Sequence, residues 1–60
     1  MYRAIKIYLN GEYIATTRAY ASQKALKARI RSDKRIFVAG IPDKVYDVCD
    51  YDKLHTEYAD

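Results

Sequence analysis

The side chains with the chemistry for catalysis or metal binding are few and lie toward the C-terminal end: Cys49, His55, and the carboxylates Asp43, Asp47, Asp50 and Asp52. A thiol near an imidazole is the minimum of a nucleophilic pair, and Cys, His and Asp are all metal donors. The spacing supports neither. One Cys and one His do not make a zinc-finger array, and the Asp series lacks the Asp-x-Asp-x-Asp-Gly order and terminal Glu of a calcium loop. Gly11 and Gly40, the only glycines, belong to separate turns, so no Gly-rich loop cradles a phosphate. Cys49 reads as a small apolar residue in a late strand and His55 as an exposed residue in a terminal helix. The expectation is a protein that is not an enzyme and carries no cofactor or metal.

Recognition chemistry is better represented. Residues 1–35 hold nine cations (Arg3, Lys6, Arg18, Lys24, Lys27, Arg29, Arg31, Lys34, Arg35) against Glu12 and Asp33, a balance of +7. Residues 36–60 hold Lys44 and Lys53 against six carboxylates, a balance of −4, so the overall +3 conceals a polarity along the chain. Either the acidic part folds against the basic part and neutralises it, or the basic part meets a polyanion or an acidic protein patch. Tyr2, Tyr8 and Tyr13 cluster around Lys6, a combination suited to protein interfaces and to stacking on single-stranded bases. No consensus of the common RNA-binding sheet proteins accompanies it.

The elements that must position these groups follow from local patterns. Y-R-A-I-K-I-Y-L, Asn10-Gly11 and E-Y-I-A-T-T-R read as a β-hairpin, because both central residues of a type I′ turn need positive φ. A two-residue turn sets Leu9 opposite Glu12, Tyr8 opposite Tyr13, Ile7 opposite Ile14, Lys6 opposite Ala15 and Ile5 opposite Thr16. Ile5, Ile7, Leu9, Ile14 and Thr16 then share an apolar face, and Tyr2, Ala4, Lys6, Tyr8, Tyr13, Ala15 and Thr17 share the other. Ser22 caps a helix over Ser22 to Arg31, with Leu26 and Ile30 inward and Lys24, Lys27 and Arg31 aligned on another side. On that side they are spaced for contacts to duplex phosphates, and Lys34 with Arg35 extends the row.

Arg35 to Ala39 reads as a strand ended by Gly40-Ile41-Pro42-Asp43, and Lys44 to Tyr51 is read as a further strand on its Val and Tyr content, the alternative being a helix with Val45, Val48 and Cys49 at i, i+3 and i+4. Asp52 then caps a short helix with Leu54 and Tyr58 one turn apart. The fold class is α+β: a small antiparallel sheet with one helix packed on a face, in the order ββαββ plus a short C-terminal helix.

Sixty residues make one compact domain, 1–60, with a marginal core. Of the 50% hydrophobic residues, seven are Tyr and eight are Ala, leaving fourteen Ile, Val, Leu, Phe and Met. A chain so short of apolar volume gains stability from a partner surface, and a homodimer is one form of it. No apolar stretch reaches the roughly 20 residues of a membrane span, no signal-peptide pattern opens the sequence, and the single thiol suits a reducing compartment, so a cytoplasmic location is expected. The sequence thus points to a small accessory or regulatory protein, of inhibitor or adaptor type, that docks on a larger protein or protein–nucleic-acid complex through Tyr2, Lys6, Tyr8, Tyr13 and the basic helix. The alternative is a DNA- or RNA-binding protein contacting phosphates through Lys24, Lys27, Arg31, Lys34 and Arg35.

Overall fold

Asn10 (φ 56°) and Gly11 (φ 80°) both adopt left-handed backbone, as a type I′ turn requires. In the computed structural model, which describes residues 2–59, this turn joins β1 (Ile5–Leu9) to β2 (Glu12–Thr17). The chain continues through α1 (Gln23–Asp33), β3 (Arg35–Val38), β4 (Lys44–Asp47), a 3-10 turn (Tyr51–Lys53) and β5 (Leu54–Tyr58). The α+β class and the ββαββ order are as read from the sequence. The strands form two antiparallel sheets rather than one: β2-β1-β5, and the hairpin β3-β4.

The β1–β2 register starts as expected, with Leu9 opposite Glu12 and Tyr8 opposite Tyr13. It then shifts by one residue at a β-bulge, so that Ile7 faces Ala15, Lys6 faces Thr16 and Ile5 faces Thr17. Because a one-residue shift exchanges the faces, Ala15 and Thr17 turn inward and Thr16 turns outward, the reverse of the unbulged register. The extra residue, Ile14, still packs against the core. Ala4, expected among the tyrosines, is buried, and its carbonyl accepts a hydrogen bond from the Ala59 amide at 2.8 Å.

Residues 54–58 form a strand, not a helix. A spacing of four between Leu54 and Tyr58 suits both periods, but the alternation of buried Leu54 and Thr56 with exposed His55 and Glu57 is that of a half-covered strand. Its pairing with β1 runs from Ile5–Tyr58 to Leu9–Leu54 and occupies the second edge of β1. Asp50, not Asp52, caps the preceding 3-10 turn, its carboxylate accepting from the Asp52 amide at 3.0 Å. β4 ends at Asp47, short of Tyr51, and one further bond in the same register, from the Val48 amide to the Lys34 carbonyl at 3.0 Å, joins it to the end of the helix. Cys49 is therefore exposed and outside any strand, not an apolar strand residue.

The core is Ile5, Ile7, Leu26, Ile30, Ile36, Val48 and Leu54. Tyr20, Tyr46, Tyr51 and Tyr58 pack around it, supplying apolar volume that the aliphatic residues lack. Their hydroxyls need partners: Tyr51 donates to the Lys27 carbonyl at 3.2 Å, and the Tyr58 oxygen accepts from the Gln23 amide at 3.4 Å. Buried Thr56 donates to the Gln23 side-chain oxygen at 2.8 Å, tying β5 to the start of the helix. Among the described residues, no helix is long and apolar enough to cross a membrane.

The Ser22 hydroxyl accepts from the Ala25 amide at 3.2 Å, capping α1. The helix runs two residues past Arg31 to Asp33, which pairs with Arg29 at 2.8 Å, and closes on Lys34 in the left-handed region (φ 57°). Two stability measurements test these ends. Ser22→Ala is expected to lower unfolding free energy by about 1 kcal/mol in urea titrations. Lys34→Gly, which relieves a Cβ conflict at that φ, is expected to raise it by about 0.5–1 kcal/mol.

Candidate binding surface

Alternation along β1 and β5 puts Ile5, Ile7, Leu54 and Thr56 against the helix and sends Lys6, Tyr8, His55 and Glu57 to the opposite face. The two registers align these residues in rows across all three strands. One row is Tyr13–Tyr8–His55, and the next is Thr16–Lys6–Glu57. Tyr8 packs edge-on against Tyr13 and at a tilt against His55, each ring 5.7 Å from it. The polar tips are joined as well. The Tyr8 hydroxyl donates to Glu57 at 3.2 Å, Glu57 lies 3.4 Å from His55 Nε2, and the Tyr13 and Thr16 hydroxyls share a hydrogen bond of 2.7 Å. The rings are thus held in place before any ligand arrives, while Tyr13 keeps 53% of its surface exposed.

Of the sequence-predicted residues, Lys6, Tyr8 and Tyr13 come together on this face. Tyr2 precedes β1 and is exposed. His55 and Glu57 complete the face and were missed, because reading β5 as a helix hid their alternation with Leu54, Thr56 and Tyr58.

The helix cations lie elsewhere. α1 covers the inner side of the three-stranded sheet through Leu26 and Ile30, so its exposed cations and the tyrosine row occupy opposite sides of the molecule. Arg31 stands 5.7 Å over the Tyr51 ring. Arg31 and Lys34 line a groove of about 410 Å³ with Asp47, Val48, Cys49 and Tyr51. Arg35 instead lines a different groove, beside Arg29 and Asp33. Lys24, Lys27, Arg31, Lys34 and Arg35 have no carboxylate within 4.0 Å among the described residues. Three of the late acids are engaged locally: Asp43 accepts from the Gly40 amide at 2.7 Å, Asp50 caps the 3-10 turn, and Glu57 serves the tyrosine face. Asp60, counted in the −4 balance, lies outside the described residues.

Among the described residues, no group of three or more His, Cys, Asp or Glu is placed to hold a metal, and no hydrogen bond joins Cys49 to His55. No protein-family model matches this chain, and neither a curated protein nor a solved structure matches it.

Partial burial raises the Tyr8 phenol above the ordinary tyrosine value of about 10, and the Glu57 hydrogen bond and charge push the same way. A raised value in the folded state means that Tyr8 favours folding below the unfolded value, and that this contribution is lost as pH rises through the folded one. In a carbon-detected tyrosine titration, Tyr8 is expected to ionise above the free amino acid. Glu57→Gln, which removes the charge, is expected to bring it down.

Proposed function

We propose that this chain is a small non-enzymatic binding protein that docks on a larger protein through the outer face of β2-β1-β5. The observation that carries this is the row Tyr13–Tyr8–His55: mutually packed rings on a sheet, ringed by Lys6, Thr16 and Glu57. Aromatic residues backed by secondary structure bury large area at low entropic cost, which is why such groups dominate binding hot spots. The polar groups at the rim add orientation more than affinity. An accessory or regulatory role, as inhibitor or adaptor in the cytoplasm, fits a chain whose recognition surface occupies so much of a 60-residue domain. Tyr13→Ala, at a half-exposed site, is expected to leave circular dichroism unchanged and to abolish co-purification of a specific protein from the native cell. A wild-type pull-down by that variant would count against this reading.

A second reading is favoured by one observation, the helix cations that lack carboxylate partners. Lys24, Lys27, Arg31 and Lys34 on one side of the molecule would contact nucleic-acid phosphates without reading bases. It predicts DNA binding whose logarithmic salt slope spans several units, with Lys24→Ala and Lys27→Ala each reducing that slope by about 0.9 on duplex. Absence of binding at low salt would remove it.

A further inference from the structure

A groove of about 660 Å³ lies between β2, α1 and β3. Its floor is Leu26 and Ile30 of the helix. Its walls are consecutive residues, Ala15 to Thr17 on one side and Arg35 to Ala39 on the other. Successive residues of a strand point to opposite faces, so a cavity lined by an unbroken run meets the strand at its edge. Both edges are open, since β2 pairs only with β1 and β3 only with β4. Among the described residues, no backbone hydrogen bond from another element reaches the outer edge of either strand.

Protection of the two edges is partial: β2 carries a bulge, and β3 is four residues long and begins at Arg35. Ile14-Ala15-Thr16-Thr17 and Ile36-Phe37-Val38-Ala39 contain no Lys and no Pro, the residues that ordinarily keep an edge strand from pairing. The bulge turns Ala15 inward, leaving a small side chain where a larger one would fill the space. Phe37 and Val45, opposite each other in the β3–β4 ladder, are 62% and 53% exposed at the rim. The groove is also basic. Arg29 and Asp33 cancel one another at 2.8 Å, and Arg35, opposite Asp47 in the β3–β4 ladder, has no carboxylate within 4.0 Å among the described residues.

We infer that this groove receives an extended segment of a partner protein, aliphatic at alternate positions and flanked by carboxylates, which adds as a strand to the open edges. Backbone hydrogen bonds supply the affinity of such strand addition, and pockets for alternate side chains supply its selectivity. The β3 wall accommodates about 16 Å of extended chain, or roughly five residues. Inward side chains of the segment meet Leu26 and Ile30, and a flanking carboxylate meets Arg35. The site is separate from the tyrosine row and does not depend on it.

The test is selection of a displayed library of random linear octapeptides against the full chain. The expected result is enrichment of Val, Ile or Leu at alternate positions with Asp or Glu at the flanks. The best synthetic octapeptide should shift the amide resonances of 15–17 and 35–38. Arg35→Glu and Phe37→Ser, both at exposed positions, should each weaken it tenfold or more with circular dichroism unchanged, while Tyr13→Ala leaves it unaltered. No enriched pattern would overturn the proposal. So would resonance shifts confined to Tyr8, Tyr13 and His55, or a concentration-dependent dimer closing the groove with a second copy of the chain.

Discussion

The pairing of β5 with β1 is the constraint on which the rest depends. Ile5, the deepest side chain, lies on a strand flanked on both edges only because residues 54–58 return across nearly the whole chain to meet it. That return brings Leu54 into the core, places Thr56 where it can hold Gln23 of the helix, and puts His55 and Glu57 beside Tyr8. Contacts so distant in sequence demand the closing of a long loop before they give anything back. In a core of seven aliphatic residues the pairing must be accurate, because few other contacts would hold a misaligned sheet together.

The same pairing rearranges the electrostatics. Along the sequence the chain is a dipole, but folding does not bring the two ends into one neutral cluster. Glu57 is carried to the side of the sheet away from the helix, and Asp43 and Asp50 accept hydrogen bonds from nearby amides. Asp47 stands opposite Arg35 in the β3–β4 ladder without reaching ion-pair distance. The helix cations therefore keep their field at the surface, where salt screens it within about 10 Å. Charges so placed shape the field around the molecule more than they stabilise the fold.

The features legible in the sequence are those fixed by neighbours in the chain. Asn10-Gly11 dictates its turn through two positive φ angles, and Ser22 dictates a helix start through one capping bond. The bulge at Ile14 has no such local signature: it lets Ile14 reach the core while Thr16 bonds Tyr13, a tertiary preference. The last strand was obscured because Leu54 and Tyr58 lie four apart, a distance shared by both periodicities. The alternation Leu54-His55-Thr56-Glu57-Tyr58 was the available signal, and it carried with it half of the outer face. Cys49 lies beyond the end of β4, a boundary that no residue type between Lys44 and Tyr51 marks.

Scarcity of aliphatic side chains links the two surfaces. Four tyrosines take core duty, each bringing a ring to bury and a hydroxyl to satisfy, and the sheet they surround is only three strands wide. Between β2 and β3, two open strand edges line a groove floored by the helix. On the far side, Tyr8 and Tyr13 have no second layer to cover them and stabilise each other edge to face instead. Both exposures thus have one physical origin: a domain too small to bury every apolar surface that its sheets create. Each ordered, partly apolar surface left open is one on which a partner forfeits little entropy by ordering this chain, which is the condition under which a small protein binds tightly.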